Sequence, residues 1–230
     1  MAVQRFRVLF RKGERVRYIS HLDVLRFWER AIRRAELPLS YSQGFTPHPK
    51  LAFASPLPLG FMSEAEVMDV TLDERIEPEA FRERLLPETT EDLSIVGISE
   101  IALSTIPPQA AILWADYRVD LVDADPALVA AAVAQFVERE EFFWSEEKKE
   151  RTKTYNLRAA VASMAGVAVD GGVRLTMRLQ ADATLTARPE QVLEAILPGV
   201  ATSAITRTGL VLDDPSPARE AWRRVGQYQG

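Results

Sequence analysis

The chain has 230 residues, 47% hydrophobic and 27% charged, with a net charge of −5 and no cysteine. This composition excludes a disordered chain. The lack of cysteine excludes a disulfide scaffold, a thiol nucleophile, a Cys-ligated zinc site and a self-held, Cys-ligated iron–sulfur cluster. No stretch approaches the roughly 18 uninterrupted apolar residues of a membrane span. Met1 to Arg7 hold two arginines and no apolar run, so a cytoplasmic chain without a signal peptide or membrane contact is expected.

The charge is unevenly spread. Residues 1–50 hold eleven Lys or Arg and four Asp or Glu, whereas the other 180 hold 17 and 29. The first segment is therefore +7 and the remainder −12. Such asymmetry predicts a local surface for a polyanion such as RNA.

Phe6, Val8 and Phe10 alternate with Arg5 and Arg7, which predicts a half-buried strand over 5–10. Arg11 to Glu14 reads as a turn and Val16 to Ile19 as a short second strand. Ser20 with Asp23 forms a capping-box pattern, so a helix begins there and stops at Pro38. Leu22, Leu25, Trp28, Ile32 and Ala35 are its expected buried stripe. Arg26, Arg30, Arg33 and Arg34 recur at i, i+4, i+7 and i+8 on a neighbouring stripe. Residues 41–60 are rich in proline and glycine and predict a loop, a short strand over 51–54 and another turn.

Strands over 67–72 and 93–103 flank a helix over 78–86 opened by proline. The order so far is β-α-β-β-α-β, a ferredoxin-like pattern. Ser104 to Gln109 is the expected linker. The pattern then restarts: strand 112–122, helix 126–138, strands 142–145, 152–157 and 173–181, helix 189–196 and strand 204–212. The expected fold class is α+β, two ferredoxin-like domains in tandem. A basic domain spans 1–105, a second α+β domain 110–212, and a loop-like tail with a short helix 213–230.

The row of four arginines, with Lys12, Arg15 and Arg17 from the adjoining segment, suits a phosphate backbone, because guanidinium groups grip phosphate with two parallel N–H bonds. The bland alternative is a solvated face whose arginines pair with Asp23, Glu29 or Glu36. His21 and His48 are the only two histidines. His48 sits in Gly44-Phe-Thr-Pro-His-Pro-Lys50, where prolines stiffen a loop that presents Phe45, His48 and Lys50 to a base and a phosphate. Histidine also suits acid–base work near neutral pH, so His48 and His21 are the catalytic candidates. The stretch Lys153-Thr-Tyr-Asn-Leu-Arg158 and Arg207-Thr-Gly209 read more simply as strand ends. No P-loop, Gly-x-Gly-x-x-Gly, Gly-x-Ser-x-Gly or metal-ligand spacing occurs. No metal or cofactor of its own is expected.

Lys12-Gly13, Arg17-Tyr-Ile-Ser-His-Leu-Asp23, Arg33-Arg-Ala35, Gly44-Phe-Thr-Pro-His-Pro-Lys50 and Pro56-Leu-Pro-Leu-Gly60 resemble the bacterial radical SAM-linked protein family. This is a domain of unknown function found fused to, or encoded beside, a radical SAM enzyme. The likeness is specific over residues 3–72 and looser through Lys153 to Arg158 and Arg207 to Gly209. It implies an iron–sulfur radical SAM partner and work in tRNA or rRNA modification or maturation. It carries over no catalytic residue. The leading expectation is a non-catalytic RNA-binding partner of that enzyme. The alternatives are a metal-independent ribonuclease or RNA-modifying enzyme using His48 and His21, and a protein-only adaptor.

Overall fold

The computed structural model describes residues 2–148 and 151–213. The expected tail, apart from Asp213, lies outside them. The fold is mixed α+β and mostly strands, and the described residues divide into two compact units, 2–112 with 212–213 and 113–211.

In the N-terminal unit the elements are β1 (Gln4–Lys12), α1 (His21–Arg34), β2 (Leu51–Phe53), β3 (Met62–Leu72), α2 (Pro78–Leu85), β4 (Ile95–Ile101) and a one-turn helix α3 (Pro108–Ala111). The strand order is β4-β1-β3-β2, with every neighbouring pair antiparallel. Phe6, Val8 and Phe10 of β1 pack with Met68, Val70 and Leu72 of β3 under Val24, Trp28, Ala31 and Ile32 of α1 and Phe81 and Leu85 of α2. The helices thus cover one face of the sheet, where the period-2 and period-3.6 apolar sets meet.

Three details differ from the sequence reading. The buried stripe of α1 is Val24, Trp28, Ala31, Ile32 and Ala35, while Leu22 is exposed. Those positions recur at i, i+4, i+7, i+8 and i+11, a tighter helical face than one through Leu22 and Leu25. The expected strand over 16–19 is instead a 3-10 turn over Glu14–Val16 running into the cap of α1. Its entry is set by Gly13, whose amide donates to Asp92 O at 2.7 Å. A Cβ at Gly13 would meet Asp92 Oδ1 at 2.1 Å, so the chain crosses there only without a side chain. Finally, β1 is buried on both faces. The polar face holding Arg5 and Arg7 is covered by the stretch expected to be a linker. The carbonyls of Thr105 and Ile106 accept from Arg5 and Arg7, and α3 packs on β2 and β3.

The capping box that starts α1 is present: Ser20 Oγ accepts from the Asp23 amide at 3.2 Å, and Asp23 Oδ2 accepts from the Ser20 amide at 3.4 Å and also from the Ser20 hydroxyl at 2.7 Å.

In the C-terminal unit the elements are β5 (Ile112–Val122), α4 (Pro126–Glu138), β6 (Phe143–Lys148), β7 (Arg151–Asn156), β8 (Val161–Val169), β9 (Gly172–Gln180), α5 (Pro189–Ile196) and β10 (Thr202–Leu212). The order is β10-β5-β9-β8, and β6 and β7 form a separate hairpin. Strand β8 was not expected. It reads Val-Ala-Ser-Met-Ala-Gly-Val-Ala-Val and is exposed along most of its length, so no buried apolar alternation marks it. Its pairing with β9 over Val161 to Val169 makes it a strand.

Candidate functional site

Helix α1 buries its Trp28 face and turns Arg26, Arg30, Arg33 and Arg34 outward; all four are exposed. Three have acidic partners. Arg26 lies 3.6 Å from Asp23, Arg33 2.8 Å from Glu29, and Arg34 pairs with Glu88. Glu88 replaces the expected Glu36, which sits past the helix end at a positive φ of 52°. Among the described residues Arg30 has no ion pair. Pairs this exposed are worth only about 0–1 kcal/mol, so their arginines exchange partners readily.

The loop after α1 is closed at its base. Tyr41 and Pro49 form a bridge, the Ser42 amide donates to His48 O at 2.8 Å, and the His48 amide donates to Ser42 Oγ at 2.9 Å. Residues 43–48 project from this neck, all exposed, with Phe45 bare of any cover. Gly44 turns at a φ of 127°, which favours glycine. Lys50, also exposed, returns to the body through its amide to Ser40 O at 2.8 Å. The helix and the loop meet at Tyr41: Arg33 Nε donates to Tyr41 Oη at 3.1 Å, with its guanidinium 5.9 Å from the ring centroid. Arg33 therefore lies at the neck of the loop that carries Phe45, His48 and Lys50.

Other expected contact residues lie elsewhere. Lys12 is buried and presents no charge to solvent, contrary to expectation: its ammonium donates to the carbonyls of Arg17 at 2.8 Å and Ile19 at 3.3 Å. Lys12 ends β1 opposite Ser63 of β3, so the strand carries it inward. Arg15 is exposed and shares its charge with Glu91 at 3.4 Å. Arg17 is half-buried, 3.7 Å from Glu14, with its guanidinium over the Tyr18 ring.

His21 and His48 are not brought into one cavity. His21 sits edge-on to Phe53, with ring centroids 5.3 Å apart, and lines a cavity with Lys12, Ser55 and Glu66 that His48 does not line. Its volume of about 10 Å³ admits a single water. Glu66 is buried opposite Phe10 of β1.

In the C-terminal unit, Arg158 is structural: it donates to the carbonyls of Val137 and Val161. Asn156 Oδ1 accepts from the amides of Phe142 and Ala159. Arg207 is buried. Among the described residues no group of three or more His, Asp or Glu is placed to hold a metal ion, and no helix is long and apolar enough to cross a membrane.

A family model described as "Uncharacterized protein conserved in bacteria (DUF2344)" matches residues 5–189. No curated protein matches the chain. Among solved structures, a chain of the "Crystal Structure of a Cbf5-Nop10-Gar1 Complex" aligns at 13% identity and a TM-score of 0.49 over 89% of this chain. The aligned chain is about twice as long, 48% of it being covered.

Proposed function

We propose for this chain, which belongs to the DUF2344 family of proteins conserved in bacteria, the role of a non-catalytic RNA-binding module that serves a radical SAM enzyme in RNA modification or maturation. Each unit is then a ferredoxin-like β-α-β-β-α-β fold, read from the strand orders β4-β1-β3-β2 and β10-β5-β9-β8. The observation that carries RNA binding is the Arg33–Tyr41 contact. It ties Arg33, one of a row of exposed arginines on α1, to the neck of a loop that offers a bare aromatic ring, a histidine and a lysine. Single-stranded RNA needs such a pairing: cations that follow the backbone, and a ring on which a base stacks. The radical SAM partner rests on the resemblance of residues 3–72 alone.

The test is fluorescence anisotropy of the full chain with short single-stranded RNA across a salt series. Affinity should fall with salt. Arg30→Glu with Arg33→Glu should weaken binding and lower the log–log slope by about one for each phosphate no longer neutralised. Salt-independent or absent binding by the unmodified protein would sink the reading. Pull-down of the radical SAM enzyme that survives nuclease would establish a protein contact separate from RNA bridging.

A further inference from the structure

The stretch Lys153 to Arg158 is unused by the function proposed above, yet Lys153 and Tyr155 of β7 line a cleft of about 180 Å³ within the C-terminal unit. Its other wall is the segment 182–188 that leads into α5. The charged groups lining it are Glu146, Lys153, Asp182 and Arg188. Their formal charges cancel, so its preference depends on which groups are already committed.

Both acids are committed. Asp182 Oδ1 accepts from the amides of Thr184 at 2.8 Å and Leu185 at 3.0 Å and from the Thr184 hydroxyl, and its Oδ2 accepts from Gln180 Nε2 at 2.8 Å. Those bonds, the Thr184 hydroxyl first, hold the Asp182 carboxyl down at about 2. Glu146 accepts from Gln191 Nε2. Gln191 Oε1 in turn accepts from the Tyr155 hydroxyl at 2.7 Å and from the Arg188 amide at 2.9 Å. This chain of hydrogen bonds fixes one wall.

The cations are not committed. Among the described residues neither Lys153 nor Arg188 has an ion pair. The Lys153 ammonium lies 5.8 Å from the Tyr155 ring centroid. Burial pushes the Tyr155 hydroxyl up, Glu146 adds to the rise, and Arg188 opposes it, so the Arg188 charge acts on that oxygen. Donors remain on the cations, whereas each acid already accepts from neighbouring protein groups.

We propose that this cleft binds a small oxyanion, held by the Arg188 guanidinium and the Lys153 ammonium. The guanidinium fork fits a carboxylate or a phosphate with two parallel bonds. The volume lies below the roughly 300 Å³ at which pockets for drug-sized ligands begin, so one phosphate- or carboxylate-bearing group fits and a whole nucleotide does not. The cleft belongs to the C-terminal unit, whereas α1 belongs to the N-terminal unit.

The test is calorimetric titration of the full chain with inorganic phosphate and, separately, with succinate. Saturable binding of at least one is expected, weakened about tenfold or more by Arg188→Ala and by Lys153→Ala and unchanged by Arg11→Ala. Lys153→Ala, at an exposed position, keeps the test open should Arg188→Ala disturb α5. Phosphate binding with succinate silent assigns a phosphate site, and the reverse a carboxylate site. No saturation by either anion, or binding unchanged in both variants, overturns the proposal.

Discussion

Two groups of cations from the first fifty residues meet opposite fates. Arg7 and Lys12 of β1 are drawn into the interior, whereas Arg26, Arg30 and Arg33 of α1 stand in solvent. Arg7 lies directly opposite Asp69 of β3, its Nε 2.7 Å from one carboxylate oxygen and its terminal nitrogen 3.0 Å from the other. The charge counted along the chain is therefore not the charge presented. Asp69, Glu88, Glu91 and Asp92 return from outside the segment to cancel part of the excess, and what remains concentrates on one helix and one loop.

The difference between the two groups breaks most visibly at Asp69. Asp69→Ala removes the carboxylate that accepts two bonds from buried Arg7 and should cost about 3–5 kcal/mol, read by urea unfolding. RNA affinity per folded molecule should not change. The loop gives the converse. Phe45→Ala should leave the unfolding midpoint in place and cost about 1–3 kcal/mol of RNA affinity, because a fully exposed ring contributes only when a base stacks on it. Ser20→Ala removes the cap of the arginine helix and should cost about 1 kcal/mol of stability, again by urea unfolding. Arg15→Ala is the smallest. Its contact with Glu91 is exposed on both sides, and the unfolding midpoint should move by no more than about 0.5 kcal/mol equivalent. A large loss there would mean that exposed and buried cations of this segment are not energetically distinct.

Much of the fold was legible because its punctuation is local. Pro126 and Pro189 open α4 and α5, and the expected ranges 126–138 and 189–196 coincide with the helices. The exposed row on α1 follows from a 3.6-residue period and the Ser20–Asp23 cap. What could not be read is non-local. The partners of Arg34, Arg7 and Arg15 lie 54, 62 and 76 residues away in sequence, and only the tertiary fold brings them close. Lys12 looked like the other cations because a sequence does not say which side of a strand end is covered. The cleft at Lys153 was hidden for the same reason: its second wall comes from 182–188, beyond two intervening strands.

Trp28 lies on the α1 face away from the arginines, fully buried, with its indole N–H meeting no acceptor among the described residues. It is the only described tryptophan of the N-terminal unit. An indole in such surroundings emits toward the blue and shifts red when water reaches it. The arginine helix thus carries its own optical reporter. Replacing Trp114, Trp144 and Trp222 with phenylalanine would isolate that signal. It would then distinguish charge-reversed variants that no longer bind RNA from variants whose helix no longer forms.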